Sequence, residues 1–277
     1  MKADIERSTN LEDSYESELE EMNVPESFDS EEEFELLAGY EDENGVVHKT
    51  YTLREITGED EEYINRSDIK QNGAKVATAL LTRCITKLGT LTKKELGPKK
   101  WEEIFKEKLF IGDRDIMLLT LRKKSTGEEI EVTHTCPNPN CKAKLKTIIN
   151  IDELEIKPYD GMKTIPFELP KGFVDHKGIL HREGTMRRPN GLDGEILTPV
   201  AKNNIAKATS LLLARLCSFS DGAHIDPTIM AKLTIKDRNY LQELLNEHQF
   251  GVDMTVPIMC DQCGEEFKGN LNQSNFI

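Results

Sequence analysis

A repeated segment constrains this sequence more than any other feature does. The run FELLAGYEDENGVVH, which begins at Phe34, returns as FELPKGFVDHKGILH, which begins at Phe167. Matches that continue in the same order over a whole domain length indicate two diverged copies of one domain in tandem. Further matched pairs are Thr52 and Thr185, Arg54 and Arg187, Gly58 and Gly191, Asp60 and Asp193, Arg83 and Arg215, Arg114 and Arg238, and Cys136 and Cys260.

Each copy is predicted to begin with a β-hairpin. In the first copy, short strands over Phe34–Leu36 and Val46–Leu53 flank a turn that contains an Asn-Gly pair, which is a strong hairpin signal. The second copy has the same arrangement around a turn that ends at Gly178. We expect Gly45 and Gly178 to adopt the positive φ that such a turn needs.

Three helices are predicted to follow each hairpin. Apolar residues from Ala74 to Leu88 recur with helical spacing, and Gly89 is expected to end that helix. Asp113 and Asp237 precede apolar residues as N-caps would, so each is expected to begin the third helix of its copy. The predicted helical ranges are 74–88, 101–108 and 113–123 in the first copy, and 205–218, 227–233 and 237–247 in the second.

A two-stranded β-ribbon is predicted to close each copy and to carry a pair of cysteines at its tip. The fold class is therefore α+β: a tandem duplication of a domain with a β-hairpin, about three helices and a zinc-ribbon-like β-knuckle. The predicted ribbons are 129–135 with 142–151, and 253–259 with 266–271. The predicted division of the chain is a tail over 1–33, a first repeat over 34–152, a linker over 153–163 and a second repeat over 164–277.

The ribbon cysteines predict one shared structural zinc ion. Cys136 and Cys141 are separated by four residues, and Cys260 and Cys263 by two. Two thiolates on a tight turn can occupy adjacent corners of a tetrahedron, and two such turns complete a four-sulfur site with no open position for a substrate water. Because each copy supplies only half of a site, zinc binding is expected to link the two copies.

Other states of the cysteines remain open from sequence. The pairs can be reduced knuckles without metal, disulfides within each pair, or a redox dithiol, although no βαβ context supports the last. His134 can replace one cysteine as a ligand. Cys84 and Cys217 are instead expected on the apolar face of a helix, as small buried hydrophobes.

Charge and hydropathy limit the classes of partner. Residues 1–33 carry thirteen acidic and two basic residues, or −11 of the total charge of −14, and few apolar ones. This segment is predicted to be a disordered acidic tail, either solubilising or an arm that folds onto a basic partner or the body of the protein. The remainder is nearly neutral with no basic stripe, which argues against nucleic-acid binding. No apolar run approaches the length of a membrane span, and no signal peptide is evident.

Other recurring polar residues are interpreted structurally. His48 and His181 are expected on the strand surface with local hydrogen bonds, because no companion residues suggest a catalytic site. Arg54 with Asp60, and Arg187 with Asp193, are expected to form a salt bridge between the hairpin and the first helix, the alternative being a partner surface. Phosphate-loop, zinc-protease and nucleophile-elbow motifs are absent from the sequence, so we expect no enzyme.

The second copy resembles a known family. The hairpin segment from Phe167 to Arg187, the Leu-rich helix, the run LTIKDRNYLQELLN from Leu233 and the CDQCG run from Cys260 look like the baseplate hub assembly chaperone family of contractile-tailed phages and related contractile injection systems. The resemblance covers roughly residues 164–271. The usual motif has a Thr-x-x-Asp-Glu run after the arginine, where this chain has Arg188-Pro-Asn-Gly.

The resemblance implies a non-enzymatic structural or chaperone-like role in a baseplate or tail. Its implied partners are other baseplate or tail subunits, with no nucleic acid, membrane or small-molecule substrate. It would act in the cytoplasm of the bacterial host during assembly, and then either leave or remain in the particle. The alternative is a zinc-ribbon module that binds nucleic acid or acts in transcription. That reading needs basic residues around the knuckles, and only Lys142, Lys144 and Lys146 supply them.

Overall fold

The chain has a mixed α/β fold in a computed structural model that describes residues 32–271. Helices alternate with several small antiparallel sheets along the chain. The predicted acidic tail lies outside the described residues up to residue 31. None of the helices in the described part is long and apolar enough to cross a membrane.

The described residues form short helices and strands, which are numbered here in chain order. The helices are α1 Gly58–Ile64, α2 Gly73–Cys84, α3 Lys93–Leu96, α4 Pro98–Glu103 with a π-helical turn Ile104–Lys108, α5 Ile111–Thr126, α6 Gly191–Ala201, α7 Ile205–Leu216, α8 Pro227–Lys232 and α9 Ile235–Glu247. The strands are β1 Phe34–Glu41, β2 Val47–Leu53, β3 Ile85–Leu88, β4 Leu91–Thr92, β5 Glu129–Thr135, β6 Lys144–Asn150, β7 Ile156–Lys157, β8 Thr164–Val174, β9 Leu180–Arg187, β10 Cys217–Phe219, β11 Gly251–Val252, β12 Thr255–Met259 and β13 Glu266–Asn270.

Both predicted hairpins are present, and each is part of a sheet. The first sheet has the strand order β1-β2-β3-β4, and the second has the order β10-β9-β8. The hairpin turns contain Gly45 and Gly178 with φ of 79° and 80°, which confirms the prediction of a positive φ. The first strand of each hairpin is longer than expected because it continues past a bulge.

The bulges are held by aspartates that the sequence assigned to a different role. Asp113 accepts hydrogen bonds from the backbone N–H groups of Leu37, Ala38 and Gly39, at 2.8, 3.2 and 2.8 Å. Asp237 accepts them from Lys171 and Gly172, at 2.7 and 3.4 Å. The prediction that the two aspartates are N-caps was wrong, since both lie inside their helices, where the carboxylates satisfy strand groups that a bulge leaves unpaired.

The first long helix of each half ends earlier than predicted. Helix α2 ends at Cys84, and the next four residues form β3, which pairs with β2. In the second half, α7 ends at Leu216 and β10 pairs with β9. The apolar spacing of these residues fitted a helix, but their backbone groups bond to the hairpin instead, so the predicted ends at residues 88 and 218 were wrong.

A buried aspartate ties each hairpin to two helices. Asp60, near the start of α1, accepts hydrogen bonds from Arg54 of the hairpin at 2.6 and 3.0 Å and from Arg83 of α2 at 2.6 Å. Asp193 of α6 has the same arrangement with Arg187, at 2.7 and 2.8 Å, and Arg215, at 2.7 Å. The predicted salt bridge between hairpin and helix is therefore confirmed in both halves.

Within residues 32–271, the buried apolar residues form three clusters. One cluster lies in the first half around Trp101, Leu53 and Phe105, and another in the second half around Met186, Leu213 and Leu241. The third is made jointly by the β5–β6 and β12–β13 ribbons. The two halves thus share a core at the ribbons that carry the cysteines.

The predicted linker is packed against both halves. Its strand β7 pairs with β11, so that Ile156 faces Val252. The guanidinium of Arg188 is buried between the rings of Tyr159 and Phe250, 5.0 and 5.1 Å from their centroids. The domain boundaries remain a prediction, but the segment between them does not run free.

Candidate metal centre

Two ribbons bring the cysteine pairs to their tips. In the first ribbon, β5 and β6 pair up to Thr135 and Lys144, and Cys136 and Cys141 lie in the connecting turn. In the second, β12 and β13 pair up to Met259 and Glu266, with Cys260 and Cys263 in the turn. The strands alternate buried and exposed residues, which is the pattern of a ribbon with one covered face.

Both turns use the same local geometry. The N–H of Cys136 donates to the carbonyl of Ala143 at 2.9 Å, and that of Cys260 to the carbonyl of Glu265 at 2.8 Å. The residue after the second cysteine has a positive φ in each turn, 55° at Lys142 and 74° at Gly264. Gly264 adopts this conformation without steric cost, whereas at Lys142 it costs a non-glycine residue roughly 1 kcal/mol or more.

The four sulfur atoms have the separations that a tetrahedral site requires. Cys136 Sγ lies 3.7 Å from Cys263 Sγ, and Cys141 Sγ lies 3.8 Å from Cys260 Sγ. All four lie within 4.8 Å of one another. A tetrahedron with Zn–S bonds of about 2.3 Å has S···S edges of about 3.8 Å. The residues therefore fit a four-coordinate zinc ion after small side-chain rotations.

The cluster lies at the edge of the shared core. Cys136 and Cys260 are buried, Cys141 is half-buried and Cys263 is exposed. Cys136 and Cys260 belong to the same apolar cluster as residues of both ribbons, including Leu145, Ile149, Val256 and Ile258. If four thiolates filled a four-coordinate site here, they would leave no position for a reacting water, which is the pattern of a structural site.

The sulfur positions bear on the alternatives that the sequence left open. All six cysteines are free, and the short contacts run between the ribbons rather than within each pair. A disulfide needs its sulfurs about 2.05 Å apart, so these separations fit reduced cysteines rather than disulfides, with or without a bound cation. The ring of His134 lies against Gly269, outside the group of four cysteines.

The two other cysteines have a different environment. Cys84 and Cys217 are buried, and burial raises the pKa of each thiol to about 12. Cys84 ends α2, whereas Cys217 begins β10, so only the first lies in a helix. Both thiols stay neutral and unreactive in these positions, in agreement with their interpretation as small apolar residues.

The two matched histidines are buried, so the prediction of surface positions was wrong. His48 contacts Asp42 at 3.4 Å, and His181 contacts Asp175 at 3.6 Å and Asp221 at 2.5 Å. The hydrogen bond that His181 donates to the Asp221 carboxylate raises the pKa of His181, and desolvation opposes this shift. The sequence contained a signal for this contact: an aspartate stands at the start of each hairpin turn, six residues before the histidine.

The aspartate clusters hold negative charge in the protein interior. Burial alone would raise the pKa of Asp60 and of Asp193, but the hydrogen bonds from their arginines outweigh it and lower both. These carboxylates consequently remain ionised and hold the hairpins. Each is fully enclosed by its own half and leaves no acceptor open to a ligand.

The protein thus has a mixed α/β fold, and its two halves meet at a four-cysteine cluster that is a candidate metal centre. A family model described as T4 bacteriophage base plate protein matches residues 45–177, slightly less than half of the chain. This match supports a protein related to phage baseplates. No significant match to the chain was found among curated proteins or among solved structures.

The matched range complements the resemblance drawn from sequence. It runs from the first hairpin through Cys136 and Cys141 to the second hairpin, whereas the sequence resemblance rested on the second copy. The relation to baseplate proteins is thus supported from the first half as well. The narrower assignment to the hub assembly chaperone family remains a prediction.

Proposed function

We propose that this protein is a structural or assembly component of the baseplate or tail of a contractile phage or contractile injection system. The observation that carries the proposal is the match of residues 45–177 to the baseplate family model. That family suggests a non-enzymatic role, in which the protein acts through contacts with other tail subunits. Assembly would take place in the cytoplasm of the host bacterium.

The two halves are proposed to be diverged copies of one domain. The best support is the pair of buried aspartates, because Asp60 and Asp193 each bind one arginine of the hairpin and one of the following helix. The caps also correspond: Thr57 and Asn190 each form a capping box with the aspartate three residues on. Such agreement in both sequence order and contacts is difficult to explain without a common origin.

The zinc ion is proposed to fix the two copies in one arrangement. Each ribbon brings two sulfurs to a joint cluster, and the apolar residues behind them form one core. Neither ribbon alone can fill a four-coordinate site. A scaffold that must present two surfaces at a set angle benefits from this link, because metal binding then stabilises the association of the halves.

The charges around the cysteines favour protein partners over nucleic acid. Lys146 on the first ribbon is paired with Glu131 at 2.7 Å. The second turn carries Asp261, Glu265 and Glu266, whose charges would repel phosphates. The zinc-ribbon nucleic-acid alternative is therefore not favoured.

The function can be tested by deleting the gene from the phage or injection-system locus that encodes it. We expect electron micrographs of the lysate to show no complete tails, with heads or unattached tail parts accumulating. Complementation with the wild-type gene should restore tails, and Cys136→Ser or Cys260→Ser should restore fewer. Normal tails in the deletion strain would overturn the proposal.

The same strain separates a transient factor from a resident subunit. Quantitative mass spectrometry of purified particles should find the chain at a whole-number ratio to known tail subunits if it stays. Its presence in assembly intermediates alone would identify a chaperone. Binding to DNA or RNA that high salt abolishes, with intact tails after deletion, would favour the nucleic-acid alternative.

A further inference from the structure

The contact between the two halves is of the head-to-tail kind. Helix α2 of the first half packs against α6 of the second half. At its centre, Thr78 donates to the buried carboxylate of Glu195 at 2.7 Å, and Asn72 donates to the Glu195 carbonyl at 2.8 Å. In the repeat, α6 corresponds to α1 and α2 to α7. Different surfaces of the two copies therefore meet.

A buried arginine depends on this contact. Arg114 is completely buried and donates to Thr78 Oγ1 at 3.2 Å and to the Phe105 carbonyl. Gly191 of α6 lies flat on the guanidinium, so that a Cβ atom built there would be 2.5 Å from Arg114 Cζ. Only glycine permits this approach, which explains the residue at that position.

The second half carries a corresponding surface, of which the outer part is exposed to solvent. This surface, the α7 face, consists of Asn204, Ala206, Ser210 and Arg238, which correspond to Asn72, Ala74, Thr78 and Arg114. Arg238 donates to Ser210 Oγ at 2.8 Å, as Arg114 does to Thr78. Asn204 and Ala206 are exposed, whereas Ala74 is buried by α6. Ser210 and Arg238 lie beneath them, 6% and 9% exposed, and Arg238 also donates to the Met230 carbonyl at 2.8 Å.

The first half carries a surface that corresponds to the contacting face of α6, and this surface is exposed. This surface, the α1 face, consists of Gly58 and Glu62, which correspond to Gly191 and Glu195. Both are exposed, and a Cβ atom built on Gly58 would meet nothing within 4 Å. Gly58 has no positive φ, so neither space nor backbone conformation within the chain requires a glycine there.

We propose that chains associate head to tail, with the α7 face of one chain binding the α1 face of a second copy. Gly58 would then lie on the Arg238 guanidinium of the neighbour, and Glu62 would accept from Ser210, as Gly191 and Glu195 do within the chain. Glu62 meets the positive charges of Arg238 and the exposed Lys207 in this arrangement. A contact of this type builds rings or filaments rather than closed twofold dimers.

The contact between chains is weaker than the one within a chain. Within the chain, Gly194 approaches Ala74 closely, since a Cβ built on Gly194 would be 3.0 Å from the Ala74 Cβ. Glu61 stands at the corresponding position of the α1 face, and its larger side chain prevents an equally close approach. Lys106, which pairs with Glu195 at 3.2 Å, is replaced by Met230. Ile205, 76% exposed beside the α7 face, offers apolar area in return.

Sedimentation velocity on the full chain over a series of concentrations tests the proposal. The wild type should show a sedimentation coefficient that rises with concentration. Gly58→Phe blocks the α1 face, and Ala206→Glu blocks the α7 face with bulk and a charge that repels Glu62; each should stay monomeric. Ile148→Glu, at a residue 64% exposed on β6 outside both faces, is the matched control and should associate like the wild type.

Mixing the two blocked variants distinguishes a head-to-tail contact from other modes. Each retains one intact face, so the mixture should form a 1:1 dimer and nothing larger. A wild type that remains monomeric up to its solubility limit would overturn the proposal, as would blocked variants that associate normally or a mixture that does not associate. Circular dichroism and the thermal midpoint of each variant exclude misfolding as the cause.

The proposal rests on the repeat correspondence, but not on the baseplate role or on zinc. If chains associate as described and deletion of the gene leaves tails intact, the proposed function fails and this inference stands. If deletion abolishes tails and the chain is monomeric, the reverse holds. Glu62→Lys, which leaves Gly58 in place, should weaken association and provides a second variant on the α1 face.

Discussion

Gly112 of α5 and Gly251 of β11 lie against each other: a Cβ atom built on Gly251 would be 2.6 Å from the Gly112 Cα. A Cβ on Gly112 would in turn be 2.5 Å from the Phe250 carbonyl oxygen. The backbones of the two halves thus approach at a distance that excludes side chains. Here the first half is held against the second without help from a metal.

We expect Gly112→Ala to destabilise the protein by about 1–3 kcal/mol, because the added methyl group overpacks this contact. The free energy of unfolding in urea, measured with the metal content held constant, checks the prediction. Gly73→Ala is the control: that glycine also lies in a helix, but nothing stands within 4 Å of its Cβ position. Equal stability of both variants would contradict a close contact at Gly112.

The second prediction concerns the contribution of Asp60 and Asp193 to the free energy of unfolding. Asp60→Asn or Asp193→Asn removes the charge that two arginines share and leaves these partly buried arginines with less counter-charge. Arg83 keeps its ion pair with Glu59 at 2.7 Å. The arginines retain some solvent contact, so we expect a loss of roughly 2–3 kcal/mol, below the 3–5 kcal/mol typical of a fully buried pair. The free energy of unfolding in urea measures this loss of stability.

Asp68→Asn serves as the comparison for the aspartate variants. Asp68 forms an ion pair with Arg66 at 3.4 Å, and both side chains are more than half exposed. Such a pair contributes little, so this variant should unfold like the wild type. If Asp60→Asn were as stable as Asp68→Asn, the buried carboxylate would not hold the hairpin.

The dependence of stability on acidic pH should reflect the titration of the same two aspartates. Their folded pKa values are lowered by the arginines, below the ordinary value of 3.8. The unfolded state therefore binds more protons, and the stability that these groups contribute is fully present above about pH 4 and lost as the pH falls through the folded pKa values. Stability measured from pH 5 to 2 should fall more steeply for the wild type than for Asp60→Asn with Asp193→Asn. Parallel curves would show that the two carboxylates do not titrate as described.

Much of the local structure could be predicted because it follows from neighbouring residues. The turn at Gly45 and the ribbon Glu129–Thr135 follow from turn chemistry and alternation, and both are present. The cysteines could be predicted to meet because they occupy matched positions in the predicted repeat. The sulfur atoms do lie together, which supports that use of the repeat.

Other features depend on contacts far along the chain and could not be read locally. The residues Ile85–Leu88 continue a helical apolar pattern, and only their pairing with β2 makes them a strand. Asp113 resembles an N-cap in sequence, but its hydrogen-bond donors lie in the first hairpin. Helices α1 and α6 were missed because their apolar pattern is weak, although the spacing of Thr57 and Asp60 is a capping-box signal.

Thiol reactivity and metal release provide the last prediction, on the zinc ion. Purified protein should contain about one zinc per chain, and either Cys136→Ser or Cys260→Ser should lose it, because each removes one of four ligands of a shared site. With zinc bound, we expect the cluster thiols to react slowly with a thiol reagent. After chelation four should react and Cys84 and Cys217 should not, since burial raises the pKa of each to about 12. Chelation should also lower the thermal midpoint, because the binding free energy of the metal contributes to folding. If each substitution removed only half of the bound zinc, the metal would occupy separate sites, which would contradict a bridge between the ribbons. Four reactive thiols before chelation would contradict it too. The two halves would then be held together by their packed contacts, without a metal.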